Sequence, residues 1–318
     1  MRKQSIFFTL FLICSLVISS CSINKMAMKT VSDTLTKEGS AEVFTGDSDP
    51  QLIGEALPFA IKMYESLLSA NPGHQGLLVT TGSLFIMYAN AFVAQPAEQM
   101  PRNMFTERQA AMERTKKLYL RGLDLLFRGL ELKYPGFNNA FQNKALPEVL
   151  LKIKKEDVPS LYWAAAGGLS AFAINPLDLD LGFRIPEFFA LVNRAYELEP
   201  DFNSGALDDF LLLYYASVPE FMGGDKSRAE LHYKRALEKS GGLLAGPYVS
   251  YAQAVSIPAQ DYDTFKACLD AALSINPDAD PSNRLVNIIT QRKARYLLDS
   301  AEFFFVNLET DYNWDEDW

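Results

Sequence analysis

The apolar and polar positions along the chain fall into helix-length segments that stop at prolines or glycines. The pattern is sharpest from Pro186 to Gly241. Phe188, Leu191, Val192, Ala195 and Leu198 recur at i, i+3, i+4 and i+7, the spacing of one amphipathic helix face. Glu199-Pro200-Asp201 ends that helix, because proline lacks the N–H that would extend the ladder and disfavours helix in the residue before it. Leu207, Phe210, Leu211, Tyr214, Tyr215 and Val218 then line one side of a second helix, with Leu212, Leu213 and Ala216 on the other. A helix apolar nearly all round is predicted to sit inside a helical stack. Pro219 and Gly223-Gly224 break it, Asp225 stands where an N-cap belongs, and Ala229, Tyr233, Ala236 and Leu237 build a third stripe.

The same grammar predicts helices over 51–70, 76–93, 106–134, 145–156, 158–174, 247–256, 261–275 and 281–308, with loops at Pro96–Pro101 and at Leu177-Asp178-Leu179-Asp180. No alternating strand pattern competes, so the predicted class is all-α. Five helices share one register: an aromatic or other large residue, a small or apolar residue three places on, and a closing proline or glycine five later. They are Ala60, Tyr64, Leu67, Pro72; Leu123, Phe127, Leu130, Pro135; Phe188, Val192, Ala195, Pro200; Ala229, Tyr233, Ala236, Gly241; and Phe265, Leu269, Ala272, Pro277. This is the second-helix register of tetratricopeptide (TPR) units, whose period is about 34 residues. Here the closers lie 63, 65, 41 and 36 residues apart, and the first-helix signature is mostly absent. The expectation is a degenerate TPR-like α-solenoid, or superhelix, over residues 47–308; the alternative is a helical protein whose helices simply end in proline.

The N-terminus adds an address. Arg2 and Lys3 precede an apolar run from Ile6 to Ile18, too short for a membrane span of about 20 residues. It closes on Ile18-Ser19-Ser20-Cys21, which resembles a bacterial lipobox. The expectation is a signal peptide over 1–20, a lipid on Cys21, a tether over 21–46, and a membrane surface as the anchoring partner; an uncleaved anchor with an incidental cysteine is the alternative. Cys268 is then the single mature thiol, which leaves no intramolecular disulfide and reads as a small core residue. A net charge of −9 argues against nucleic acid, whose phosphates demand clustered lysine and arginine. The acidic end over 309–318 reads as a frayed tail, though its Trp314 and Trp318 could dock onto something.

Candidate chemistry is sparse. His74 and His232 fall in different units, His74 in a Pro-Gly-His turn and His232 on what reads as a polar helix face, so neither a His/Cys metal site nor a cofactor is predicted. Asp178 and Asp180 lack EF-hand spacing and read as a capped turn. Gly167-Gly168 and Gly223-Gly224 are not followed by the residues of a phosphate loop. With no acid–base pair in evidence, an enzyme is not expected. The aromatic content stands out instead, at 22 Phe and 14 Tyr. Tyr88, Phe92, Trp163, Phe172, Tyr214, Tyr215 and Tyr251 sit on helices of the first type and are either core or the wall of an apolar groove or pore.

The lipoprotein signal, the degenerate units, Ala56-Leu57-Pro58, Tyr88-Ala89-x-Ala91-Phe92 and Phe221-Met222-Gly223-Gly224-Asp225 together resemble the TatT family, the TPR proteins associated with tripartite ATP-independent periplasmic (TRAP) transporters. The resemblance covers essentially the whole mature chain and points, within the family, to the spirochaete member. It implies a periplasmic, lipid-anchored homotrimer with a pore in each subunit. The implied partners are a TRAP-type periplasmic solute-binding protein and a hydrophobic small molecule, possibly carboxylated. A generic TPR scaffold for envelope assembly remains the rival reading.

Overall fold

The computed structural model describes residues 26–306 and 308, apart from 38, 40 and 41. The signal, Cys21 and the acidic tail lie outside the described residues. Every regular element among the described residues is helical, so the class is all-α as the periodicity predicts. Residues 26–35 form α1, Glu42–Thr45 α2 and Pro50–Ala70 α3. Gln75–Ala89 (α4) runs through a π-helical turn, Asn90–Ala94, into Gln95–Glu98 (α5). There follow Phe105–Lys133 (α6), Phe137–Gln142 (α7), Leu146–Leu150 (α8), Val158–Ile174 (α9), Leu179–Gly182 (α10), Ile185–Leu198 (α11), Ala206–Ser217 (α12) and Lys226–Lys239 (α13). Ala245–Tyr251 (α14) continues through a second π turn, Ala252–Ser256, into Ile257–Ala259 (α15), and Tyr262–Ser274 (α16) and Arg284–Asp299 (α17) complete the array.

The stops and caps behave as their chemistry requires. Asp49, Asp178, Asp225 and Asp261 each accept a backbone N–H in the first turn of α3, α10, α13 and α16. His74 does the same for α4 through Nδ1, 3.1 Å from Leu77 N. Two expectations change. The stretch predicted as a tether over 21–46 contains α1 and α2, and α1 docks on later units: Tyr64 donates to the Leu35 carbonyl at 2.9 Å, Asp33 lies 2.9 Å from His74 Nε2, and Ser32 is buried. The helix predicted to stop before Pro96 passes through it, since the π turn closes with Gln95 N–H on the Asn90 carbonyl and absorbs the bond a proline cannot make. The second π turn likewise precedes Pro258.

Helices pair α4 with α6, α9 with α11, α12 with α13 and α14 with α16, and each pair leans on the one before it. The shared register sits in these seams: Phe188, Val192, Ala195, Ala229, Ala236, Phe265, Leu269 and Ala272 are all buried. Small residues set the closest approaches. A Cβ on Gly122 of α6 would stand 2.6 Å from the Gly82 carbonyl oxygen of α4, and one on Gly168 of α9 only 2.1 Å from the Phe188 ring of α11. Gly167-Gly168 is therefore a packing device. The stretch Gln75–Glu98 is long and apolar enough to cross a membrane, yet 56% of its apolar window is buried among neighbouring helices, which makes it a core helix.

The array closes on itself. Leu285 and Ile289 of α17 share one core cluster with Ile53, Leu57, Leu77 and Phe85 of α3 and α4. Arg284 donates to the Gly46 carbonyl at 2.8 Å, and Tyr296 to the Glu98 carbonyl at 3.1 Å. Lys293 pairs with Glu98 at 3.6 Å, and the Arg102 guanidinium lies 3.8 Å over the Phe303 ring. The last helix thus covers the face the first pair would otherwise leave open.

Gly122→Ala is expected to lower unfolding free energy by about 2 kcal/mol, because backbone on the other side cannot give way. Gly73→Ala, whose Cβ would meet nothing within 4 Å, should stay within about 0.5 kcal/mol of wild type. Urea midpoints of the two variants check this; equal midpoints would contradict the close-crossing account.

Candidate functional site

α9 touches α4, α12 touches α14, and α14 touches α17. Tyr162 of α9 spans the remaining gap, its ring centroid 6.3 Å from Phe210 of α12 and 5.4 Å from Phe202. Along α9, α12 and α14 a stripe keeps accessible surface: Tyr162, Ala166, Leu169 and Ala173 on α9, Ala206, Asp209, Phe210 and Leu213 on α12, Gly246 and Ser250 on α14. Helical spacing generates each stripe, since i, i+3, i+4 and i+7 share a face. Tyr162 and Asp209 are both half-buried. Burial pushes the Tyr162 phenol up, with the Asp209 charge adding to it. Burial also lifts the Asp209 carboxyl to about 6 against the opposing effect of the Ser250 hydroxyl.

The seven aromatic candidates do not form one patch. Trp163 packs edge-on against its chain neighbour Tyr162 at 5.1 Å and lies against the core of the helix pairs. Tyr88 and Phe92 stack on each other at 6.0 Å beside α3, where Gly54 makes room for the Phe92 ring. Phe172 rests against Gly182 at the far end of α9. Tyr214 stacks on Phe189 at 4.0 Å. Tyr215 is buried between α12 and α13, stacked on His232 at 5.6 Å and accepting from Arg228 at 3.1 Å, so it is a seam residue rather than an accessible wall. Tyr251 stacks on Tyr233 at 4.2 Å and donates to Glu230 at 2.6 Å, likewise turned toward α13. Cys268 is buried, 3.6 Å from the Tyr233 hydroxyl, and burial raises its thiol, in keeping with a core role.

Periodicity passed over Asp208 and Asp209, two adjacent carboxylates on an otherwise apolar helix. That contradiction was the available signal, because a charge in such a helix needs a partner or a use. Asp208 faces α13, accepting from His232 Nδ1 at 2.7 Å and the Tyr196 hydroxyl at 3.2 Å, with Lys239 Nζ at 2.7 Å. His232 is therefore buried, not on the polar face the pattern assigned it. Burial opposes ionisation of Asp208, but the bonds from His232 and Lys239 prevail and hold its carboxyl below the usual range. Lys239 also donates to the Pro200 carbonyl at 2.6 Å, which ties the 200–205 turn to α13. Beside it Tyr196, Asp201, Ser204, Arg235, Glu238 and Lys239 line an open cleft of about 540 Å³. Its Arg235 and Lys239 are both already engaged, Arg235 by the Tyr196 hydroxyl at 3.4 Å.

The described residues form an all-α array of helix pairs whose last helix packs on the first ones. Residues 46–305 match the family model described as the TRAP transporter T-component, and the chain belongs to that family. An uncharacterised protein of Treponema pallidum (strain Nichols) is 34% identical over 307 residues, spanning 92% of this chain and 95% of that one. Membership makes the chain a component of an envelope-associated transport system.

Asp208→Asn is expected to cost about 3 kcal/mol at neutral pH, because it breaks a buried ion pair on one side. The folded carboxyl is depressed, so its contribution is complete above the ordinary value of about 4 and fades as pH falls through the lower folded one. The Lys239 ammonium is raised, so its contribution is complete below the ordinary lysine value of about 10.4 and is lost only as pH rises through the higher folded one. Urea unfolding at stepped pH should show the wild-type advantage constant through neutrality and shrinking in acid. An advantage that grew in acid would contradict the assignment.

Proposed function

We propose that this chain is a lipid-anchored periplasmic accessory of a TRAP-type transport system. It docks the system's solute-binding protein on an outer face and passes an apolar small molecule through a channel inside the closed ring. The observation that carries the reading is the family match across residues 46–305. The channel is supported by the end-to-end closure through α17 and by the accessible stripe that includes Tyr162, Leu169, Phe210 and Leu213, which offers apolar surface with few polar handles. The two π turns fall on inner helices α4–α5 and α14–α15, and such turns are frequent where a helix shapes a site. The lipid on Cys21 would hold the ring at a membrane surface, and the homotrimer implied by the family resemblance would set three channels side by side.

The test uses the mature full-length chain with a TRAP-type solute-binding protein from the same organism. Sedimentation velocity should show a complex of the two, and decanol, an apolar probe, should bind the chain by titration calorimetry. Trp163→Ala and Phe210→Ala should each weaken decanol binding by about tenfold, roughly 1.4 kcal/mol, without loss of helical circular dichroism. Absence of both the complex and decanol binding would overturn the proposal. Association with several unrelated envelope proteins through peptides would favour the scaffold reading instead.

A further inference from the structure

Asp209 stands out on the inner face because its chemistry is unspent. Its Oδ1 is buried without a hydrogen-bond partner. Its Oδ2 looks toward Gly246 of α14, where a Cβ would lie at 3.4 Å. Ser250 of the same helix is its polar neighbour, and Tyr162 of α9 is close enough for the charge to act on its phenol. The nearby cations serve another group: His232 and Lys239 are bound to Asp208, which faces α13. The carboxyl thus meets aromatic rings, a hydroxyl and backbone, with no counter-charge supplied by these neighbours.

Resting on the channel reading above, we propose that Asp209 is the polar anchor of the channel and selects apolar ligands that carry a protonated amine. A carboxylate sunk among aromatic rings is stabilised by an opposite charge within about 4–6 Å. A ligand carboxylate would set like charges together unless one took up a proton. The carboxyl's position near 6 fits this, since it is mostly ionised at neutral pH and an arriving ammonium keeps it so. Oδ1 then gains the partner that the fold withholds.

Calorimetry with decylamine, decanol and decanoate at neutral pH tests the proposal on the mature full-length chain. Decylamine should bind about tenfold tighter than decanol, and decanoate more weakly than decanol. Asp209→Asn, close in shape, should abolish the amine preference and leave decanol affinity within about twofold. Asp209→Ser should give the same pattern, which separates lost charge from any distortion by one side chain. Decanoate binding as tightly as decylamine, or an amine preference that survives both variants, would overturn the proposal while leaving the channel reading intact. If none of the three probes binds, the channel reading falls, and this proposal with it.

Discussion

Leu285 and Ile289, set into the core of a helix pair more than two hundred residues upstream, are the contact on which the interior depends. In an array of stacked helix pairs each unit is stabilised by its neighbours, and the two terminal faces are left to be capped. Here the caps are each other. Burying two such side chains contributes about 1.5–3 kcal/mol apiece, and the Arg284, Tyr296 and Lys293 contacts fix the seam in register. Without that seam the inner faces of α4, α9, α12 and α14 would line an open groove. With it they face one another.

Helix geometry then divides the labour of α12. Successive residues project about 100° apart on a helix, so neighbouring carboxylates can meet unlike surroundings. Asp208 points into the α12–α13 seam and finds His232 and Lys239; Asp209 points inward and finds Tyr162, Ser250 and Gly246. One carboxyl falls below its ordinary value and the other rises above it. The first is a structural rivet. The second carries the polar character of an otherwise apolar wall.

Much of this was legible in the chain. The proline and glycine closers mark real helix ends, the small residues of the shared register are buried in seams, and Asp178 and Asp225 cap the helices that their positions announce. Other features are set by distant partners and leave little local trace. α1 has no clear apolar stripe and is ordered by Tyr64 and His74. Pro96 reads as a break, yet the π turn before it carries the helix through. Short α7 follows directly on the Pro135-Gly136 stop, its start permitted by Gly136 at φ +92°. The candidate site was only half visible: Tyr215 and Tyr251 are turned into seams, and Tyr162, Asp209 and Phe210 emerge only once α9, α12 and α14 are brought together.

The account's central claim is that closure by α17 makes the interior a binding space. Opening the seam tests it most directly, with Leu285→Asp and Ile289→Asp introduced together and decanol affinity measured by calorimetry alongside helical circular dichroism. The account predicts that most helical signal persists, because repeat neighbours still support one another, while decanol affinity falls by about tenfold or more. Unchanged affinity in a chain whose seam is open would contradict it.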